Sequence, residues 1–445
     1  MTVSILEFCE YQEEGHCGYC KQEAKESSGV WAHKFTPSAY LNFMNCGWRR
    51  SGSYVYKPNM AQTCCPQYTI RLDSGKFYLT KSQKKVLKRM NDFLKSDVRP
   101  KEGRIREEAS VQAVLSEEKE SKHKTEKRTK PSGDIRKKKE IRKERCYKKW
   151  TEKGLDISEM KSKRVQKEES RRSTLKSLID CAEDSWKHRL EVVLVKPKAS
   201  LELLRRQECF QLFKKYQETI HKDTDNTIAS YERFLIQTPL VDDLTVPVDE
   251  KKPAYGSYHQ WYILDNKIIA VGVVDILPHC LSSKYVYYDP DYLFLNLGTY
   301  TALREIYYTQ LLSETRAELK YYYMGYYIHS CPKMRYKGKY HPSELLCDNS
   351  FKWFPLTECV RKIAANDGKF VNFDDNTAQR LDTNDLLVYI QGSLIRYGNL
   401  EPLITRRGVG DTTDIRQTLD RIAKLLSPEC QEVAFYVSKI VELFE

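Results

Sequence analysis

Residues 261–277 read WYILDNKIIAVGVVDIL, two apolar runs on either side of a short polar break. We interpret the runs as two strands joined at Asn266 and Lys267, because such a break between β-branched segments is typical of a hairpin. KYVYYD, a few residues later, predicts a third strand. Helical spacing then begins at Leu297, and KYYYMGYYIHSC at 320–331 returns to a strand pattern. This order indicates an α+β or α/β fold, of which we favour α+β.

The composition narrows the class of partner. The chain has 445 residues, a formal net charge of +13 and 30% charged residues. These values favour an anionic partner, with RNA or DNA ahead of a membrane surface, although a basic tail alone would give the same charge. No stretch approaches the roughly 20 apolar residues of a membrane span, and the N-terminus lacks a secretion signal. We therefore expect no membrane partner and a cytoplasmic location, with the nucleus as the alternative, where the 14 cysteines stay reduced.

Three regions follow from the distribution of residue types. Residues 1–95 are rich in aromatic residues and hold six cysteines, which predicts a small cysteine-rich domain. Residues 96–187 are dominated by charge and contain few aliphatic side chains, so we expect a largely disordered linker, or alternatively a basic arm on RNA phosphates. Apolar patterning returns over 188–445, where NDLLVYIQGSLI and the C-terminal CQEVAFYVSKIVELF predict helices.

Four cysteines have the spacing of a metal site. Cys17 and Cys20 in CGYC can direct both sulfurs at one ion, and Cys64 and Cys65 complete a set of four thiolates. Such a set suits zinc or an iron-sulfur cluster, and the ligand type does not separate the two. The adjacent pair departs from the usual zinc ribbon and argues against a plain structural zinc. A group of buried free thiols is the alternative.

A cationic segment precedes the second cysteine pair. Within GWRRSGSYVYKP, the residues Arg49, Arg50, Ser51, Tyr54 and Lys57 stand among aromatic residues. Guanidinium groups held among aromatic rings are suited to binding carboxylates or phosphates through paired hydrogen bonds. The segment therefore predicts an anion pocket, with a solvated surface charge run as the alternative.

Several long motifs together resemble one known family. CGYC, GWRRSGSYVYKPNMAQTCCPQYTIR and KSQKKVLKRMNDFL, followed by YERFL, AVGVVDILP and GYYIHSCPKMRYKGKYHPSELLC, closely resemble the eukaryotic arginyl-tRNA–protein transferases. The resemblance covers the N-terminal region and most of residues 190–360. It leaves out the charged segment and, less clearly, the last 80 residues.

The resemblance implies an activity, two partners and a cofactor. Members of this family transfer arginine from arginyl-tRNA to the N-terminal amino group of proteins that begin with Asp, Glu or oxidised Cys. This marks those proteins for ubiquitin-dependent degradation in the N-degron pathway. The C-terminal half is implied to have a GNAT-like acyltransferase fold. The four positions Cys17, Cys20, Cys64 and Cys65 are implied to bind a 4Fe-4S cluster, or zinc in aerobic preparations.

Two other classes of function remain as alternatives. A CoA-dependent N-acetyltransferase is one, but LFLNLGTYTALRE has only Gly298 where such enzymes carry a Gly-rich loop for pyrophosphate. A non-catalytic RNA-binding redox sensor built around the thiols is the other. The oligomeric state stays open.

Few catalytic side chains are expected, because an aminoacyl ester is already activated. Asp275, at the end of AVGVVDIL, is our first candidate for holding the arginyl guanidinium or the attacking amine, with a solvent-facing strand-end acid as the alternative. His329 is a candidate base, against the simpler interpretation of a hydrogen-bonded core histidine.

The run CPKMRYKGKYHPS alternates basic residues with others. We predict that Lys333, Arg335, Lys337 and Lys339 contact phosphates of the tRNA acceptor stem, with a solvated face as the alternative. Arginyl-tRNA is thus the expected co-substrate, and proteins with acidic N-terminal residues are the expected acceptors.

Overall fold

A computed structural model describes most of the chain. The described residues are 3–12, 16–21, 26–100, 138–152, 154, 156, 158–160, 162, 173–242, 252–407, 413–437 and 440. In these residues no helix is both long enough and apolar enough to cross a membrane.

The described residues form a mixed α+β fold, as the sequence predicts. The strands are β1 (Ser4–Gln12), β2 (Ser27–Lys34), β3 (Arg49–Ser51), β4 (Tyr54–Pro58), β5 (Tyr68–Asp73), β6 (Leu190–Val195), β7 (Gly256–Leu264), β8 (Lys267–Leu277), β9 (Cys280–Tyr288), β10 (Tyr321–Tyr327), β11 (Ser343–Leu346), β12 (Trp353–Pro355), β13 (Leu387–Ile390), β14 (Ser393–Arg396) and β15 (Val433–Tyr436). The helices are α1 (Pro37–Asn45), α2 (Lys81–Ser96), α3 (Lys138–Glu152), α4 (Leu175–Ile179), α5 (Ser200–Tyr216), α6 (Ile228–Tyr231), α7 (Leu297–Thr315), α8 (Pro332–Arg335), α9 (Leu356–Ala365), α10 (Tyr397–Arg407) and α11 (Thr413–Lys424).

Two sheets organise these elements. The seven-stranded sheet has the order β14-β13-β15-β1-β2-β4-β3, and the eight-stranded sheet has the order β12-β11-β5-β10-β9-β8-β7-β6. Both sheets combine strands from the two ends of the chain, since β1 pairs with β15 and β5 lies between β11 and β10. The predicted division into a 1–95 domain and a 188–445 domain is therefore corrected: residues 1–95 supply strands to both sheets and do not form a separate body.

The predicted linker, 96–187, also ends earlier than the composition indicates, because ordered structure resumes before residue 187. Helix α4 packs against α2 and α7, with Leu175 and Ile179 buried in the core. Its N-cap, Thr174, forms a capping box with Ser177, which fixes the start of the helix. Residues 101–137 and most of 153–172 lie outside the described residues, so the linker prediction stands untested there.

The central hairpin is confirmed with a shift of one residue. Strands β7 and β8 are joined by Asp265 and Asn266, with φ angles of 47° and 71°, and not by Asn266 and Lys267. A two-residue turn with both φ angles positive matches the twist of the strands, and Asp and Asn tolerate that conformation. The predicted strand KYVYYD, the helix from Leu297 and the following strand are confirmed as β9, α7 and β10.

Two predicted helices in the C-terminal part are wrong. NDLLVYIQGSLI contains the hairpin β13–β14, which turns at Gln391 and Gly392 with positive φ angles. The first part of CQEVAFYVSKIVELF contains β15, whose partners are β1 and β13. In both cases long-range strand pairing, which a local helical pattern does not contain, decides the structure.

The eight-stranded sheet opens between β9 and β10. These parallel strands pair only through Cys280–Ser282 and Tyr321–Tyr323, and then β10 pairs with β5 alone. Helix α7 forms the connection between them and packs on β8, β9 and β10. The opening, with residues of β3, β4 and the turn after β10 beside it, positions the site.

Candidate functional site

The four predicted metal ligands come together. Cys17 precedes a tight turn and Cys64 and Cys65 precede β5, and their four sulfurs all lie within 4.8 Å of one another. The Cys20 and Cys64 sulfurs are 3.2 Å apart. Cys17 and Cys65 pack on Ile328 in the turn after β10, with Cys331 and Met334 beside them. The cysteine cluster therefore lies against the part of the chain that carries the predicted basic run.

The donor set fits a metal. Four thiol sulfurs are the ligands of structural zinc sites and of iron-sulfur clusters. Sulfurs bound to one tetrahedral ion at about 2.3 Å lie roughly 3.8 Å apart, which agrees with this close spacing. A four-iron cluster would need the sulfurs to move apart, because each binds a different iron. Burial raises the pKa of Cys65 to about 12. At Cys17, burial is outweighed by hydrogen bonds from the backbone of Cys20 and Tyr19, which lower the pKa to about 7.

Arg50 and Asp275, predicted as a substrate contact and a catalytic group, bind each other. Arg50 Nη2 lies 2.5 Å from Asp275 Oδ1, and Nε lies 3.0 Å from Oδ2. Ser257 Oγ donates to the same carboxylate, and Arg50 Nη1 donates to the carbonyl of Gly52. Both side chains are buried. The pair is satisfied within the protein, which does not support the predicted roles and points instead to a positioning role between β3 and β8.

Arg49 has a different environment. Its side chain is buried, with the guanidinium 5.5 Å from the ring centre of Tyr326 and 5.6 Å from that of Tyr323. Nη1 donates to the carbonyl of Trp48, but Nε and Nη2 have no hydrogen-bond partner among the described residues. A buried cation with two unused donors is suited to an incoming carboxylate.

The other members of the predicted anion pocket are engaged elsewhere. Lys57 Nζ donates to the carbonyl of Cys46 and forms an ion pair of 2.8 Å with Asp348. Tyr54 lies over Gly29 and stacks on Tyr56 at a ring distance of 6.1 Å. Ser51 pairs with Tyr54 across the β3–β4 turn. Arg49 is therefore the member of this set whose geometry leaves donors available.

The predicted basic run divides into two parts. Lys333 and Arg335 on α8 and Lys339 after it are exposed, as phosphate contacts require. Lys337 turns inward, and its Nζ donates to the carbonyl of Tyr326 at 2.8 Å. Burial and the nearby Arg49 charge lower the pKa of Lys337 to about 7. Lys337 thus faces the Arg49 site and does not share the exposed surface of its neighbours.

His329 lies beside Tyr327, whose hydroxyl is 2.9 Å from His329 Nδ1. Burial, with a contribution from Arg335, lowers the His329 pKa and favours the neutral ring. A neutral ring in a hydrogen bond fits either a base or a structural histidine. Its predicted catalytic role remains a prediction.

Sequence reasoning missed a buried acid on α7. Glu305 is fully buried, and its Oε2 accepts a hydrogen bond of 2.6 Å from the hydroxyl of Tyr322. Burial raises the Glu305 pKa to about 7. The sequence does contain a signal for this acid. Thr301, Glu305 and Thr309 recur at four-residue spacing on the buried face of α7, where polar residues are uncommon and often mark a functional group.

Two family descriptions match the chain. "Arginine-tRNA-protein transferase, N terminus" matches residues 15–85, and "Arginine-tRNA-protein transferase, C terminus" matches residues 208–347. The first range contains the cysteine cluster and Arg49. The second contains the opening between β9 and β10, with Glu305 and Lys337.

Curated relatives extend the similarity over nearly the whole chain. Arginyl-tRNA–protein transferase 1 of Drosophila melanogaster is 34% identical over 98% of this chain and 100% of its own length. Arginyl-tRNA–protein transferase 2 of Arabidopsis thaliana is 32% identical over 76% of this chain and 73% of its own length. Aspartate/glutamate leucyltransferase of Pseudomonas syringae pv. tomato is 36% identical over 34% of this chain and 56% of its own length.

Proposed function

The chain belongs to the family of arginyl-tRNA–protein transferases, and we propose that it transfers arginine from arginyl-tRNA to the α-amino group of proteins that begin with Asp, Glu or oxidised Cys. The observation that carries the choice of acceptor is the Arg49 guanidinium, which is buried with two donors that no described residue pairs. The bacterial relative named for aspartate and glutamate supports the same choice. The modified protein would carry an N-terminal arginine, which we propose as a signal for ubiquitin-dependent degradation.

The side chain of an acidic first residue would bind Arg49. Its carboxylate, or the sulfinate or sulfonate of an oxidised cysteine, would accept hydrogen bonds from Nε and Nη2, for which the described part of the chain offers no acceptor. The Tyr323 and Tyr326 rings hold the guanidinium in place and limit access of water to it. A protein that begins with Gly would leave both donors unpaired and the cation uncompensated, at a cost of several kcal/mol.

The reaction needs orientation more than strong acid or base. The acceptor nitrogen forms a bond to the ester carbonyl carbon, and the bond from that carbon to the ribose oxygen of the tRNA breaks. The nitrogen loses one proton and the ribose oxygen gains one, so no oxidant or reductant is required. An α-amino group has a pKa of about 8, and water or neutral Lys337 can therefore accept its proton.

The tRNA would lie along a continuous basic surface. Gln83 Nε2 of α2 donates to the carbonyl of Lys339, which joins the start of α2 to the turn after β10. Exposed lysines of α2 therefore extend the surface made by the exposed members of the basic run; the set is Lys81, Lys85, Lys88, Lys333, Arg335 and Lys339. Contacts from such side chains to phosphates give affinity that falls steeply with salt.

The cysteine cluster would hold a 4Fe-4S cluster, with zinc in its place in aerobic preparations. When bound, either metal group would cross-link the turn at Cys17 to the start of β5, and the iron-sulfur form would make this link sensitive to oxygen. Because Cys17 and Cys65 pack on Ile328, this link also supports the turn that carries Lys337. The four sulfurs are donors of the right type for both groups.

A transfer assay under anaerobic conditions tests the proposal. Purified protein, radiolabelled arginyl-tRNA and two peptides that differ only in an Asp or Gly first residue are incubated, and arginine incorporation is measured. We expect incorporation into the Asp peptide only. Equal labelling of both peptides would overturn the proposed acceptor specificity, and acetyl-CoA turnover without arginine transfer would overturn the proposed activity.

A further inference from the structure

The opening between β9 and β10 has two sides with different chemistry. Neighbouring residues on a strand point to opposite faces of the sheet. On β10, Tyr322 reaches Glu305 on the α7 side, while the ring of Tyr323 lies against Arg49 on the other side. If the acidic acceptor binds at Arg49, the α7 side is left for the aminoacyl end of the donor.

Glu305 is placed as a binding group on the α7 side. Its Oε1 is buried and has no hydrogen bond of good geometry to the described residues. The Ser283 hydroxyl lies near the carboxylate and, with Tyr322, opposes the rise of the Glu305 pKa that burial causes. This oxygen faces the middle of β8, where a Cβ on Gly272 would lie 2.7 Å from it. A glycine inside a strand loses packing and is expected where another group must approach closely. Gly272 therefore makes room for a carboxylate whose second oxygen has no well-formed hydrogen bond within the described part of the chain.

The surroundings of Glu305 suit a planar cation. Tyr336 is 43% exposed and lies close enough to Glu305 for the carboxylate charge to contribute to its raised pKa, as does Tyr340. Of these two rings Tyr336 reaches solvent, whereas Tyr340 is buried. Aromatic rings and one carboxylate are groups that bind a guanidinium well, by stacking and by paired hydrogen bonds.

We infer that Glu305 binds the guanidinium of the arginyl group carried by the tRNA and thereby selects arginine as the amino acid transferred. This inference rests on the proposed function. An uncharged side chain in the same place would leave Oε1 buried and unpaired, which disfavours a donor without a guanidinium. Glu305 is in this view a specificity-determining residue at the donor side, as Arg49 is at the acceptor side.

Binding of aminoacyl-adenosine analogues tests the inference without requiring transfer. We compare 3′-arginylamino-3′-deoxyadenosine with its leucyl counterpart by calorimetry, using wild-type protein and Glu305→Gln. Glutamine keeps the shape and an acceptor for Tyr322 but removes the charge. We expect wild type to bind the arginyl analogue more tightly and Glu305→Gln to lose about 10- to 100-fold in affinity for it, with the leucyl analogue unchanged.

The matched control is Glu202→Gln. Glu202 is also a fully buried glutamate, but its carboxylate is paired with Arg206 on α5, away from the opening. Its substitution should lower thermal stability without changing the preference between the two analogues. Equal binding of the two analogues by wild type, or equal loss of both in Glu305→Gln, would overturn the inference. Failure of arginine transfer despite the expected binding preference would instead count against the proposed function alone.

Discussion

Arg49 and Arg50 are adjacent on β3, yet they reach opposite environments. Arg50 is held by the Asp275 carboxylate, Ser257 and a backbone carbonyl, so its Nε, Nη1 and Nη2 all donate hydrogen bonds within the protein. Arg49 lies beside two tyrosine rings, and its Nε and Nη2 find no acceptor in the residues that the structure describes. The comparison teaches that a buried cation indicates a binding site only when its counter-charge is missing. A paired one indicates a structural tie.

The largest expected effect is on stability, and it comes from disrupting the ion pair between Arg50 and Asp275. Asp275→Asn leaves the Arg50 cation buried without compensation, so we expect the free energy of unfolding to fall by about 3 kcal/mol or more. Denaturant-induced unfolding of the variant and of the wild type measures this loss. The double variant Arg50→Met/Asp275→Asn should recover part of the loss. An Asp275→Asn protein with wild-type stability and no transfer activity would restore Asp275 as a catalytic residue.

The next largest effect is on recognition of the acceptor protein, and it comes from changing Arg49. Arg49→Lys keeps one charge but removes the planar set of donors, and we expect the KM for an Asp-initiated peptide to rise about 10- to 100-fold, with the KM for arginyl-tRNA little changed. Arg316→Lys is the control, because Arg316 is equally buried and also lies on a tyrosine ring, but both of its terminal nitrogens donate to carbonyls, those of Pro253 and Lys252, and only Nε lacks a partner among the described residues. A rise in the KM for tRNA alone would move Arg49 to the donor side.

A smaller effect should follow from loss of the metal group that we propose for the cysteine cluster. Removal by a chelator, or Cys64→Ser, loosens the contact between the cysteine cluster and the turn after β10. We expect affinity for the Asp-initiated peptide to fall about tenfold, a loss of roughly 1.4 kcal/mol, while affinity for tRNA stays within a factor of two. Cys359→Ser, at a buried thiol in the core, serves as the control. A larger loss of tRNA affinity than of peptide affinity would contradict this order.

The smallest effect concerns pH. With a pKa of about 7, Lys337 is charged below that pH and neutral above it, so it adds to the positive potential beside Arg49 only on the acid side. We expect the affinity for an Asp-initiated peptide to fall a few-fold between pH 6 and 8 in wild type, and this slope to disappear in Lys337→Met. Lys339→Met, which removes an exposed charge nearby, should keep the slope and weaken tRNA binding instead.

The sequence was most informative where one short stretch sets the geometry. The CGYC turn and the adjacent cysteines predicted a common site, and the structure confirms that their sulfurs converge. The hairpin of β7 and β8 was predictable for the same reason, since Asp265 and Asn266 are residues that tolerate positive φ. Local chemistry determines such features, so local patterns contain them.

Features that depend on distant partners were not predictable. Arg50 and Asp275 were assigned separate roles because nothing local says that β3 lies against β8. The apolar pattern around β13 and β15 fits a helix as well as a strand, and the pairing of β15 with β1 and of β13 with β15 decides between them. Lys337 is indistinguishable in sequence from Lys339, although only one of them turns towards Arg49.

Strand β5 cannot pair until strands much later in the chain have been synthesised. This strand follows the second cysteine pair directly and is flanked in the eight-stranded sheet by β10 and β11, whose residues leave the ribosome about 250 residues later, some 12 to 50 s at ordinary elongation rates. Until then Ile70 and Leu72, which are fully buried in the native protein, lack their neighbours. The nascent chain therefore carries an unpaired apolar strand beside two free cysteines, and chaperone capture or early metal loading at that stage would protect it.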